Sequence, residues 1–290
     1  MTLLEADDRK QIQWLAQASR WAVGGLLANA GPVASAGRGD WSDERDYTPG
    51  DDYRRIDWNV CARHDELVWR RPAADADRRV YVLLDCSRSM TTGNPSKFDV
   101  ARRIAAVLGA AALGHLDELT LLAFADRIVA EFPPVRGRSH WLKMIRFLES
   151  LAPGGAPTDL AHVAECLVRR RQRPGPAVVI GDFLSPESDR RGLEILRYHG
   201  YAPSGVHVCA RGDAEPDVLG DVELVDAESG QAWAAVLGRR ELARYRLAFE
   251  EFCDSVRSFC RRRGIAYLRV RDDTSWRRVV FEVTGKGAEG

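Results

Sequence analysis

The sequence lacks several features that would assign a protein to a common functional class. Lys and Arg together number 42, and so do Asp and Glu, so the formal net charge is zero. Proteins that bind nucleic acid usually carry a basic excess, and its absence argues against such a partner. The six cysteines show no CxxC pair and no metal-ligand spacing, and the six histidines show no HxxxH or HxH spacing. Reduced cytosolic thiols are therefore the expectation.

The chain also has little that would direct it into a membrane. Its first residues, MTLLEADDRK, are acidic and charged, unlike those of a secretory signal peptide. The most apolar stretch, residues 104–116, is too short to span a bilayer and is typical of a buried helix. We therefore expect a soluble, cytoplasmic protein with no membrane span.

What the sequence does contain is an alternation of strand and helix patterns. Residues 80–84 and 177–180 are continuous apolar runs, typical of strands that are covered on both faces. Alternation of such strands with helices predicts an α/β fold with a mostly parallel sheet and helices on both faces. The other predicted strands are 119–124, 128–132, 205–210 and 265–270, with a polar hairpin at 222–233; the predicted helices are 97–113, 139–151, one from 159, 190–198, 239–263 and a short one after 274.

The first part of the chain has a different pattern. It predicts a helix at 8–28, a Gly/Ala/Pro/Ser-rich break at 31–39, a segment rich in turn formers at 43–65 and a short strand at 67–71. We therefore divide the chain into a small N-terminal accessory segment, residues 1–78, and a main α/β domain, residues 79–290.

Oxygen-bearing side chains follow the predicted strands of the main domain. Asp85, Ser87 and Ser89 come after the first strand, and Asp182 follows the strand 177–180. Thr158 lies in a Gly-rich loop before a helix. In open α/β sheets ligands bind beyond the carboxyl ends of the strands, so these side chains form a candidate site.

The donor types in this set indicate which ion it would hold. Two carboxylates and three hydroxyls, without His or thiolate, suit Mg²⁺ and also Mn²⁺ or Ca²⁺ rather than Zn²⁺. Because the hydroxyls are neutral, the ion would keep much of its positive charge and could accept a carboxylate from a partner protein. Asp85, Ser87 and Ser89 taken alone are equally compatible with a capped turn.

Two sequence signatures resemble those of a known family. The run Asp85-Cys86-Ser87-Arg88-Ser89, followed by Thr158 and Asp182, resembles the metal-ion-dependent adhesion site of von Willebrand factor A domains. The segment RDYTPGDDYRRIDWN at 45–59, with Ala-Arg at 62–63, resembles a signature of the bacterial proteins called domain of unknown function 58.

This resemblance carries expectations about fold and partner. It implies a Rossmann-like von Willebrand factor A domain in which Ser87, Ser89 and Thr158 offer hydroxyls. Asp85 and Asp182 would bind the ion directly or through water. Members are commonly encoded near MoxR-type AAA+ ATPases, which implies a non-enzymatic adaptor in a chaperone-like or complex-assembly system.

The sequence departs from the family pattern at two places. Arg88 stands where a small residue is frequent, so its guanidinium would either weaken ion binding or reach outward to a partner. The loop GGAPTDL is longer by Ala156-Pro157 than the usual GGTDL, so Thr158 is a less certain ligand. Asp159 could instead serve as a charge at a helix N-terminus.

Other interpretations stay open at this point. A metal-dependent hydrolase or phosphotransferase could use Asp85 as its nucleophile, although Ser87 stands where a second carboxylate is usual. Residues 93–97, GNPSK, lack the frame of a P-loop. A metal-free scaffold is the third possibility. In the accessory segment, 49–52 is expected to form a turn, and Arg54, Asp57, Trp58 and Arg63 form either a polar brace or a partner-binding surface.

Overall fold

A computed structural model describes residues 44–46, 68–70, 78–154, 156–226, 230–274 and 278–279. These residues belong to two compact units. The smaller contains the antiparallel pair β1 (Glu44–Asp46) and β2 (Val68–Arg70), which agrees with the strand predicted at 67–71. The predicted helix at 8–28 and the signature residues 47–67 lie outside the described residues. Of the short helix predicted after 274, residues 278–279 are described and are helical.

The larger unit is built on a six-stranded sheet. Its strands are β3 (Arg79–Asp85), β4 (Glu118–Phe124), β5 (Ile128–Arg136), β6 (Pro176–Gly181), β7 (Ala202–Cys209) and β10 (Ala266–Arg271). They lie in the order β10-β7-β6-β3-β4-β5, and every neighbouring pair is parallel except β4 and the edge strand β5. This is the strand order of doubly wound α/β folds. The predicted mixed α/β fold with a mostly parallel sheet is confirmed.

Both faces of the central strand β3 are buried. Val80, Val82 and Leu84 belong to the core on one face of the sheet, and Tyr81 and Leu83 belong to the core on the other. Successive side chains of a strand point to opposite faces, so a strand covered twice needs the continuous apolar run that the sequence shows.

Helices cover the two faces. Helices α1 (Lys97–Gly114) and α2 (Trp141–Ser150) contribute to the first core. Helices α3 (Leu160–Arg169), α4 (Pro186–Tyr198) and α6 (Arg239–Arg262) contribute to the second. A short helix, α5 (Arg211–Ala214), follows β7, and β8 (Gly220–Val225) pairs with β9 (Ala232–Leu237) in a separate hairpin. No helix among the described residues is long and apolar enough to cross a membrane.

Strand β5 and helix α4 are among the elements that extend further than predicted. Strand β5 continues to Arg136 through Pro133 and Pro134. An edge strand tolerates proline because one side of its backbone has no partner strand. Helix α4 begins at Pro186 rather than near residue 190. Proline suits the first turn of a helix, where its missing N–H has no partner to bond within the helix.

Candidate metal centre at the strand ends

The two predicted carboxylates meet where the strand order reverses. Strand β3 ends at Asp85, and β6 ends one residue before Asp182. The two strands are parallel neighbours, with Leu84 opposite Ile180, and the chain leaves them toward opposite edges of the sheet. Both side chains are buried, at 2% and 3% exposure. This is the position at which open α/β sheets place their ligands.

Hydroxyl and amide donors surround the Asp85 carboxylate. The Ser87 backbone N–H donates to Oδ1 at 2.8 Å, and the Thr158 hydroxyl donates to Oδ2 at 3.0 Å. The hydroxyl oxygens of Ser87 and Ser89 lie 3.0 Å apart, and both serines are buried. The structure therefore brings together the five side chains that the sequence pattern singled out.

The loop that contains the two extra residues, Ala156 and Pro157, still places Thr158 at the site. The Gly154 N–H donates to the Cys86 carbonyl at 2.9 Å, and the Asp159 N–H donates to the Ala125 carbonyl at 2.9 Å. The Asp159 side chain also accepts from the His162 N–H at 3.0 Å, as the N-cap of α3. Asp159 therefore does serve at a helix N-terminus, and Thr158 directly before it faces Asp85.

The two neighbours of Asp182, Gly181 and Phe183, have backbone features that bear on the site. A Cβ on Gly181 would lie 3.0 Å from both Cβ and Oδ2 of Asp85, so the glycine leaves room for that side chain. Phe183 has a φ of 53° and is buried. A left-handed conformation is strained for an aromatic residue, and such strain is concentrated at functional sites.

Lys97 is a member of the site that the sequence analysis missed. Its Nζ lies 2.8 Å from Asp182 Oδ2 and 3.1 Å from Asp213 Oδ2, and its side chain is 1% exposed. Lys97 is the first residue of α1, where a cation is opposed by the helix dipole. That unfavourable position is the one sequence signal that could have suggested a specific acidic partner.

The charges of the site are only partly balanced. Burial lowers the pKa of Lys97, but the carboxylates of Asp182 and Asp213 outweigh this effect and raise it above its ordinary value. Burial, and then the charge of Asp182, raise the pKa of Asp85 to about 7. Among the residues that the structure describes, Asp85 is thus a buried carboxyl with no cation of its own. The oxygen donors and the unbalanced charge both fit a hard divalent cation.

Arg88 does not share this buried environment. It begins a short 3₁₀ turn, Arg88–Thr91, and its side chain is exposed between the buried Ser87 and Ser89. Of the two expectations for Arg88, the outward direction agrees with the structure.

Comparison with known proteins places the chain among proteins of unknown function. A family model described as protein of unknown function DUF58 matches residues 43–257. An uncharacterized protein of Mycobacterium tuberculosis is 34% identical over 192 residues, which are 65% of this chain and 60% of that protein. A Mycobacterium bovis protein matches to the same extent. The chain thus spans less than two thirds of the length of these relatives.

Solved structures of similar proteins come from Bacteroides. The crystal structure of the conserved hypothetical protein BatB from Bacteroides thetaiotaomicron covers 72% of this chain and 100% of its own, with 20% identity and a TM-score of 0.46. An aerotolerance-related membrane protein from Bacteroides fragilis gives 18% identity and a TM-score of 0.45 over the same shares.

Proposed function

Since the chain belongs to the protein family DUF58, whose function is unknown, we propose a function from the site itself. The main domain is a von Willebrand factor A-like domain that carries a metal-ion-dependent adhesion site. It acts as a non-enzymatic, divalent-cation-dependent module that binds another protein.

The observation that supports this proposal most is the convergence of five oxygen-bearing side chains at the switch point of the sheet. Asp85 and Asp182 are both buried there, and the Thr158 hydroxyl is aimed at Asp85. A capped turn would explain Asp85 and the serines, but it would not require Thr158 from a loop 73 residues away. Magnesium is the ion that this set suits best, with manganese and calcium as alternatives.

The buried lysine supports an adhesive rather than a purely structural site. Because the Lys97 ammonium balances Asp182, and three of the donors are neutral hydroxyls, Asp85 is the one donor of the five whose negative charge is left for the ion. A divalent cation held by these side chains supplies an open coordination position for a carboxylate of the partner protein. Asp85, the serines and Thr158 hold the ion, Asp182 binds it directly or through water, and Lys97 keeps Asp182 in place.

The proposed partner is a MoxR-type AAA+ ATPase, in a chaperone-like or complex-assembly system in the bacterial cytoplasm. This part of the proposal comes from the family, whose members are commonly encoded near such ATPases. The exposed Arg88 beside the site agrees with a partner that offers acidic residues.

Magnesium binding is tested by isothermal titration of the wild type and of a Ser87→Ala/Ser89→Ala double variant. We expect the wild type to titrate and the double variant to lose the signal. Ser150→Ala changes an exposed serine on α2 and is the matched control, which should bind as the wild type does. A wild type without a magnesium-dependent signal would contradict the metal centre.

The partner is tested by binding of the purified MoxR-type ATPase from the same organism. Chelation is a poor control, because it also removes the magnesium that the ATPase needs for its nucleotide. Asp85→Asn is better, since it changes only this chain. We expect capture by the wild type, loss with Asp85→Asn, and unchanged capture with the exposed-site variant Lys143→Met. Equal capture by all three would leave the centre without a role in binding.

A second candidate function, a phosphotransferase or hydrolase, is favoured by one observation. An ammonium beside an aspartate after a buried strand could neutralise a phosphoryl group, and Lys97 has that position. Against it, Lys97 is already bound by Asp182 and Asp213, and no second carboxylate follows Asp85 two residues later. Turnover of phosphoester substrates that is abolished by Asp85→Asn would replace the adhesion proposal with this one.

A further inference from the structure

A second cluster of metal-binding side chains lies at the buried end of β7. His207 and Cys209 stand two residues apart on this strand and therefore on the same face. Cys253 of α6 packs against them, and one ligand atom from each of the three residues lies within 4.8 Å of the others. All three side chains are buried, with exposures of 0–1%. The two cysteines are free thiols.

We propose that His207, Cys209 and Cys253 bind a zinc ion. Two thiolates and an imidazole are soft and borderline ligands, which favour Zn²⁺ over the Mg²⁺ expected at the strand ends. Ligand atoms around a tetrahedral zinc ion lie about 3.5–3.8 Å apart, so the cluster needs to contract by at most about one ångström. The set fills three of the four positions, and the fourth is open to a small ligand such as water.

The histidine is oriented as a zinc ligand would be. Its Nδ1 lies 2.7 Å from the phenol oxygen of Tyr267, on the neighbouring strand β10. Metal-bound histidines almost always donate their other ring N–H to an oxygen, which fixes the ring and the tautomer. In the zinc-bound state Nδ1–H would donate to the Tyr267 oxygen, and Nε2 would be the nitrogen that binds the ion. The aromatic rings of Phe183 and Phe252 pack on the imidazole and hold it further.

The local charges can accommodate an ion at this buried position. Both cysteines are free thiols, and each would lose its proton on binding the ion, because zinc takes cysteine as a thiolate. The guanidinium of Arg269 also interacts with Cys209, and it is paired with Glu250 through two bonds of 2.8 and 2.9 Å. A zinc ion with two thiolates is neutral overall, and so is the Arg269–Glu250 pair. No unbalanced charge would remain buried.

This cluster is separate from the candidate metal centre but is joined to it by a short stretch of chain. Cys209 is followed by Ala210 and by α5, which carries Asp213, the second partner of Lys97. A zinc ion would fix the end of β7 and the start of this stretch. Because all three ligand side chains are buried, we expect zinc to bind while the chain folds rather than to enter the protein after folding.

The test uses Co²⁺ in place of Zn²⁺, because thiolate ligands give cobalt an intense sulfur-to-metal charge-transfer absorption. The reduced chain is refolded with Co²⁺, and zinc is measured separately by mass spectrometry after growth in zinc-containing medium. We expect the charge-transfer band in the wild type refolded with Co²⁺, and one zinc per chain in the wild type grown with zinc. Cys209→Ser and Cys253→Ser should lose the band.

Three further variants make the result specific. Cys260→Ser changes another buried cysteine of α6 outside the cluster and should keep the band. Tyr267→Phe removes only the partner of His207 and should weaken zinc binding about 10- to 100-fold. Asp85→Asn should leave the band unchanged, so failure of the strand-end centre would not be mistaken for failure of this site.

Two results would overturn the proposal. One is a folded, fully reduced wild type that shows no charge-transfer band and no zinc. The other is a thiol count that reveals a Cys209–Cys253 disulfide in the isolated chain, with no metal bound after reduction. The second result would assign the pair to a disulfide instead.

Discussion

The ammonium of Lys97 lies 2.8 Å from the carboxylate of Asp182, and both groups are almost fully buried. One ammonium therefore stands among three carboxylates, those of Asp85, Asp182 and Asp213, at the carboxyl end of the sheet. The candidate centre thus contains a cation of its own, which pairs with Asp182, whereas no cation of the described part of the chain pairs with Asp85. This division of charge leads to the first two predictions.

Replacement of Lys97 by methionine should destabilise the protein when no divalent ion is present. The variant leaves Asp182 buried beside two other carboxylates without a cation, and loss of one partner of a buried pair costs about 3–5 kcal/mol. We expect a loss of this size in the free energy of unfolding with EDTA, and a larger stabilisation by Mg²⁺ than in the wild type. Denaturant titration with and without Mg²⁺ measures both quantities.

The exposed Lys143 of α2 provides the control for this variant. Lys143→Met should change the free energy of unfolding by less than about 0.5 kcal/mol, as most surface substitutions do. If Lys97→Met behaved in the same way in EDTA, the ion pair with Asp182 would not be important for stability.

Replacement of Asp85 by asparagine should have the opposite effect in EDTA. Asparagine has the same shape, and it keeps an oxygen that accepts from the Ser87 N–H while its amide can donate to Thr158. The change removes a buried charge next to Asp182. Burial, and then the charge of Asp182, oppose that charge and raise the pKa of Asp85 to about 7. We expect a stability equal to that of the wild type or higher by about 1 kcal/mol.

Magnesium should distinguish Asp85→Asn from the wild type. At a magnesium concentration 100 times the dissociation constant, the wild type should gain about 2.7 kcal/mol, because the ion binds only the folded state. The variant should gain nothing. Thermal unfolding in EDTA and in Mg²⁺ gives both results, and a loss of several kcal/mol in EDTA would show that Asp85 is needed for the fold itself.

A packing prediction concerns Gly192 of α4. A Cβ at this position would lie 2.5 Å from Leu160 Cγ and 2.8 Å from the Leu160 carbonyl oxygen, at the start of α3. Alanine favours helix by about 0.5–1 kcal/mol, but overpacking against backbone costs about 1–3 kcal/mol and should dominate. Gly192→Ala should therefore lower the free energy of unfolding in denaturant titrations.

The glycine in α5 is a suitable control for this substitution. A Cβ on Gly212 has nothing within 4 Å, so Gly212→Ala should leave stability unchanged or raise it slightly. Equal effects of the two variants would mean that the close approach of α3 and α4 at Leu160 is not tight in solution.

The sequence predicted most of the main domain because local patterns determine its elements. The apolar run of β3, the Asp159 cap and the start of α1 are each readable from a few neighbouring residues. The family assignment rests in the same way on short runs of neighbouring residues. The meeting of Asp85 with Asp182 was predicted from the places of these two residues in the chain. Both aspartates follow buried parallel strands, whose carboxyl ends meet at one edge of the sheet.

The features that were not predicted depend on contacts between distant parts of the chain. Lys97 lies 85 residues before its partner Asp182, and within its own segment it is only the first residue of a predicted helix. Cys253 comes from a different element than His207 and Cys209, so no ligand spacing within one segment reveals the cluster. The alternating His207–Cys209 pair on one strand was the only local signal.

The last prediction concerns Gly181, which separates the two carboxylates of the candidate centre. A Cβ here would lie 3.0 Å from Cβ and Oδ2 of Asp85, closer than such atoms normally approach, so Gly181→Ala should push the Asp85 side chain away. We expect Mg²⁺ affinity to fall about tenfold, which corresponds to about 1.4 kcal/mol of binding free energy.

Stability in EDTA should fall by about 1–3 kcal/mol through overpacking, so binding has to be measured on the folded variant by isothermal titration at low temperature. Gly212→Ala, which meets no neighbour, should bind Mg²⁺ as the wild type does. Wild-type Mg²⁺ affinity in Gly181→Ala would mean that ion binding does not depend on the position of the Asp85 side chain. Asp182 would then be the carboxylate that determines the affinity.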